Sequence, residues 1–290
     1  MDIPQQRLLN QHLTNPLSGK PCDVVRLLVA VQAQDYAAAK WALGLRLQGV
    51  TDDLVEQAFT EGTILRTHLM RPTWHFVTPA DICWLLALTA PRVHAISAYY
   101  YRKVGLDQAL FTKSNDLLIK ALEGGKQLTR EELRTMLEQA GISTQGELRL
   151  GYIMMQAELD GVVCSGGRRG KQFTYALLEE RVPQVKAIAR EEALAEFVKR
   201  YFISHGPATL KDFTKWSGLT MADARSGLES VKSLLASERI DNRDYWFTSS
   251  AYPKAGVSDV AYLLPNYDEY FIGYHDPSAA FDAANYDRLI

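Results

Sequence analysis

Two side-chain carboxamides, Gln32 and Gln34, stand one residue apart in Val29-Ala30-Val31-Gln32-Ala33-Gln34-Asp35-Tyr36, between two apolar helical patterns. A helical bundle would ordinarily place apolar residues there. A buried amide left unpaired costs about 1–3 kcal/mol, so this pair must have partners. One use is structural: capping the following helix and bridging to backbone groups. The other is chemical, because a glutamine carbonyl oxygen can accept a hydrogen bond from a bound water. Residue types alone leave both uses open.

A second group of residues has the chemistry to hold phosphate. Arg66, His68, Arg71 and His75 flank Pro72, and Arg168, Arg169 and Lys171 crowd a glycine-rich turn. Basic residues at a solvated hairpin tip are ordinary, and a lone histidine such as His75 often serves structure through a hydrogen bond. In strand geometry Thr73, His75 and Val77 share a face, and so do Arg66 and His68.

The elements that must position these residues are legible from the whole chain. Its 290 residues, 47% hydrophobic and 23% charged, suit one large or several small globular domains at about 100–200 residues each. The N-terminus lacks the basic start and apolar run of a leader. The longest apolar run, 82–90, falls short of the roughly 20 residues of a membrane span. Three scattered cysteines with no C-x-x-C read as reduced and structural, so neither a metal nor another cofactor is expected. A formal net charge of −2 means that any phosphate-binding surface must be locally concentrated.

Apolar spacing predicts a short helix over 7–13, a second over 22–31 and a third over 36–47 with Asp35 as N-cap. Thr51-Asp52-Asp53 opens a fourth, and the segments around 63–70 and 73–77 read as a hairpin. A connector helix follows Thr78-Pro79-Ala80-Asp81. The same order then recurs. Helices through Leu118, Leu133 and Ile153 precede a hairpin at 162–175. Helices through Phe197, Phe213 and Leu228 precede another at 234–248. Capping boxes at Thr129, Thr209 and Thr220 mark three helix starts. The fold class is therefore expected to be α+β, mostly α, with three tandem winged-helix domains. Domains are expected at 1–78 and 107–182, joined by a connector at 79–106, and at 183–290.

The stretch 27–36 followed by Trp41-Ala42-Leu43-Gly44-Leu45-Arg46 resembles the signature of the AlkZ-like winged-helix DNA glycosylases, which carry a Gln-x-Gln or Gln-x-Asp motif. The segment Arg66-Thr67-His68-Leu69-Met70-Arg71-Pro72-Thr73-Trp74-His75-Phe76-Val77 is similar to the family's hairpin. The segment Leu263-Leu264-Pro265-Asn266-Tyr267-Asp268-Glu269-Tyr270-Phe271-Ile272-Gly273-Tyr274 is similar to its C-terminal signature.

The resemblance implies a concave DNA-binding channel and excision of alkylated purines from double-stranded DNA, including unhooking of interstrand crosslinks. It implies Gln32 and Gln34 as catalytic residues. The two basic hairpins, with Arg66, His68, Arg71, His75, Arg168, Arg169 and Lys171, are expected to contact DNA. A monomer in the bacterial cytoplasm, associated with the nucleoid when acting on DNA, is expected. Gln34 in place of a carboxylate puts the chain in the Gln-x-Gln branch. The resemblance also implies a strand-rich segment after the C-terminal signature, so an end at Ile290 is expected to be shortened or to leave the third domain incomplete. A non-catalytic winged-helix DNA-binding regulator is the alternative, and a protein-docking scaffold a third possibility.

Overall fold

Helix starts are where the side chains dictate. Thr129, Thr209 and Thr220 each form reciprocal capping boxes, with Glu132, Asp212 and Asp223, and Asp35 and Asp107 cap through their carboxylates. Each such cap contributes about 1 kcal/mol.

The computed structural model describes residues 1–146, 148–182, 188–248 and 260–279. The chain begins α1 (Ile3–Asn10), α2 (Pro21–Leu28), β1 (Val31–Gln32), α3 (Tyr36–Gly44), α4 (Asp52–Glu61), β2 (Leu65–Leu69), β3 (Thr73–Val77) and α5 (Pro79–Lys103). Next come α6 (Gln108–Leu122), β4 (Leu128–Thr129), α7 (Arg130–Gln139), α8 (Arg149–Leu159), β5 (Val163–Ser165), β6 (Thr174–Leu177) and α9 (Leu178–Arg181). The remainder is α10 (Arg190–His205), α11 (Leu210–Ser217), α12 (Met221–Val231), β7 (Ala236–Ile240), β8 (Arg243–Phe247) and α13 (Glu269–Ile272). The protein is α+β and mostly helical. The order of helices followed by a hairpin recurs as α2–α3–α4–β2–β3, α6–α7–α8–β5–β6 and α10–α11–α12–β7–β8.

Two compact units form, one from Met1–Val55 with Ala189–Ile290, the other from Glu56–Ile188. This division differs from the expected boundaries near 78, 106 and 182. The first helix–hairpin run is split, because buried polar bonds tie the N-terminal helices to the C-terminal signature.

In the first unit α10 packs against α12, α2 and α1. Its core is aromatic: the Tyr201 ring lies 5.2 Å from Phe213 and 5.0 Å from Trp216, and all three are fully buried. Strands β7 and β8 pair from Ala236↔Phe247 to Ile240↔Arg243. Asp241 and Asn242 close that hairpin with φ of 48° and 60°, a left-handed pair these residue types tolerate.

In the second unit β2 and β3 pair from Leu65↔Val77 to Leu69↔Thr73, and a separate sheet runs β4-β6-β5. Strand β4 was not anticipated, since two residues carry no alternation to read.

The helix expected over 22–31 stops at Leu28. Val29 leaves it with φ 71° and ψ −51°, close to a γ-turn geometry that strains a β-branched residue. That sharp exit converts Val31–Gln32 from helix to strand. The region around Ile290, where the resemblance implies a shortened end, lies outside the described residues.

Candidate active site

The Gln-x-Gln stretch is built onto a buried carboxylate. Gln32 is 9% exposed and Gln34 is exposed. The Gln32 backbone N–H donates to Glu269 Oε1 at 2.9 Å. Two residues beyond Gln32, Gln34 reaches the surface at the turn into α3, whose start is fixed by Asp35 accepting from the Ala38 N–H at 3.0 Å. One amide therefore sits at the margin of the interior and the other in solvent.

Glu269, fully buried at the start of α13, has a further donor in Trp216 Nε1, 2.7 Å from its Oε2. His205 Nε2 lies 3.6 Å from the same oxygen. Beside it, Asp268 takes both arms of the Arg46 guanidinium at 2.8 Å, with neither side chain exposed. Burial opposes the Arg46 charge, but the Asp268 carboxylate outweighs it and raises the guanidinium above its ordinary value. Gln11 joins the cluster, accepting from Arg46 at 2.8 Å and donating to the Tyr274 hydroxyl at 2.9 Å; that hydroxyl donates to the His205 carbonyl. These bonds join α1, α3, α10, α11 and the C-terminal signature into one polar core. Sequence reasoning quoted Asp268 and Glu269 without giving them a role. Two adjacent acids among aromatics, and a lone Arg46 closing an Ala/Leu-rich helix, were the available signal, since buried charges need partners.

The basic residues divide by exposure. Arg169 and Lys171 are exposed, and Arg71 and Arg168 are half-buried. Arg169 bonds Glu132 and the Gln127 carbonyl, both at 2.7 Å. Arg168 is 3.6 Å from Glu56. Arg66 is buried, its guanidinium stacked 4.3 Å from Trp74 and 4.6 Å from Phe173. His68 is buried against the Glu158 carboxylate and the Trp74 ring.

His75 is fully buried and pairs across the hairpin with Thr67. Directly opposed residues point to one face, so His75 lies on the face opposite Arg66 and His68. The expected grouping of His75 with them is corrected by this register. Its burial, like that of His68, withdraws the ring from direct phosphate contact in this conformation.

The model of the DNA glycosylase AlkZ-like family matches residues 25–290. The chain belongs to the AlkZ-like DNA glycosylase family. Its members are hydrolases acting on N-glycosyl bonds. A Streptomyces sahachiroi protein described as an interstrand DNA cross-link repair glycosylase is 25% identical over 279 residues, 92% of this chain and 75% of that protein. The solved structure of Streptomyces sahachiroi DNA glycosylase AlkZ superposes with a TM-score of 0.80 at 22% identity, covering 96% of this chain and 78% of that one. At that identity the likeness establishes the fold. Within this AlkZ-like fold, no group of metal-ligating side chains occurs among the described residues. No described helix is long and apolar enough to cross a membrane.

Buried His75 is expected to make the stability of this AlkZ-like chain depend on pH. Burial, and secondarily Arg71, hold His75 well below the ordinary histidine value, with the Thr73 carbonyl opposing. The folded state therefore stays neutral where the unfolded chain protonates, near pH 6.5. Stability is fully present above that pH and falls as pH drops below it, by up to about 1.4 kcal/mol per unit for this histidine. Urea midpoints from pH 7.5 to 5 will show the decline. His75→Asn, which retains a donor for Thr73, is expected to flatten it.

Proposed function

We propose that this protein hydrolyses the N-glycosidic bond of N7-alkylated purines in double-stranded DNA and unhooks interstrand crosslinks, with Gln32 and Gln34 positioning the water. The winged-helix modules and the DNA-binding channel implied by the resemblance belong to the same proposal. The observation that carries it is the Gln32 backbone bond to buried Glu269. It ties the backbone of the first glutamine to a buried polar core, while Gln34, two residues on, remains exposed.

The chemistry suits amides. Glycosidic cleavage passes through an oxocarbenium-like state. An N7-alkylated purine already carries positive charge and departs without a general acid. The remaining tasks are to orient water and stabilise positive charge on the sugar. A carboxamide oxygen does both by accepting a hydrogen bond and presenting the negative end of its dipole. It cannot act as a general base at neutral pH. A crosslinked base cannot be fully extruded from the duplex, so unhooking favours an open site over the enclosed pocket of a base-flipping enzyme.

Incubation with defined N7-methylguanine and crosslinked duplexes, scored for abasic sites, tests the reading. Release from both is expected; release from neither overturns it. Arg169 and Lys171, the exposed basic pair, are proposed to meet phosphate. Replacing both with alanine is expected to weaken binding and to lower the slope of log affinity against log salt by about one per lost phosphate contact. Titrations at several salt concentrations provide the measurement, and a salt-independent affinity would exclude this surface.

A further inference from the structure

We infer that Glu269 is the positioning residue for the Gln-x-Gln motif, fixing Gln32 through its backbone N–H so that the carboxamide is held for catalysis. This rests on the proposed role of Gln32. Glu269 is fully buried, and its two oxygens are divided between two donors: Oε1 takes Gln32 N–H at 2.9 Å and Oε2 takes Trp216 Nε1–H at 2.7 Å. Trp216 is itself fully buried among Phe197, Tyr201 and His205. The carboxylate is thus braced from the aromatic core on one side and grips the motif on the other. Val29, three residues before Gln32, holds a strained positive φ. The Glu269 bond fixes the backbone three residues beyond that turn. A misplacement of about 1 Å at a reacting group can cost up to roughly 100-fold in rate.

The division of the two oxygens gives a test that a purely structural role would fail. Glu269→Gln leaves one acceptor oxygen for two donors, so either Gln32 or Trp216 loses its bond. Trp216→Phe removes the closer competing donor, leaving His205 Nε2 at 3.6 Å, and so favours the bond to Gln32. Single-turnover base release, duplex affinity and thermal midpoint are measured for E269Q, W216F, E269Q/W216F and Q32A. E269Q is expected to slow release about 10- to 100-fold with affinity retained. W216F is expected to lose stability, and E269Q/W216F to release base faster than E269Q. Wild-type release by E269Q, or a double variant slower than E269Q, overturns the inference. Should Q32A release base at the wild-type rate, the catalytic reading of Gln32 fails instead. Hydrogen exchange of the Gln32 amide in the unmutated chain covers the case of a variant that does not fold. Slow exchange is expected, and exchange at the rate of an open loop overturns the anchor.

Discussion

Replacing Gln32 and Gln34 together with alanine is expected to cut base release by about two to three orders of magnitude, the scale of losing a preorganised polar contact to a charged transition state. Duplex affinity should change little. Gln34 is exposed beside the α3 start, and Gln32 is held through its backbone, which alanine preserves. The helix cap belongs to Asp35, so α3 is not expected to fray. Single-turnover release from a methylated duplex, set beside binding of the same duplex, is the measurement. Undiminished release would remove both amides from the mechanism and leave a structural role. Each single substitution should be nearly as damaging as the pair if both orient one water. The two effects should then combine non-additively, as groups acting as a unit do.

The second large effect is on stability. Asp268→Ala is expected to cost about 3–5 kcal/mol, because it strands the Arg46 guanidinium in a site with no exposure. The carboxylate is fully buried, accepts both Arg46 arms and also accepts the Tyr270 N–H at 2.8 Å at the start of α13. Its loss would therefore loosen the segment carrying Glu269. Replacing both partners, as Arg46→Met with Asp268→Leu, should be markedly milder than Asp268→Ala alone. The pair removes the uncompensated charge along with the bond. Urea unfolding of the wild type and the two variants at pH 7.5 checks this ordering. If the single change were the milder one, the Arg46–Asp268 fork would not be what ties the N-terminal helices to the C-terminal signature.

Local features of this protein were legible from residue type and spacing alone. Threonines at 129, 209 and 220 were readable as helix caps because a hydroxyl and a carboxylate three residues apart satisfy each other's backbone donors whatever surrounds them. The hairpins were readable because alternation and turn residues act over a few positions. The family was readable because three motifs stand in matching order along most of the chain. Tertiary structure decided how those pieces are joined. Glu269 meets Gln32 across 237 positions, and Asp268 meets Arg46 across 222. No local pattern encodes such pairings. They form because buried charges and peptide donors must find partners once water is excluded. The same requirement put His68 against Glu158 and sealed His75 inside, although their sequence neighbours are basic and looked ready for phosphate. Residue type shows what a side chain can do, and desolvation on folding selects which ones stay available to do it.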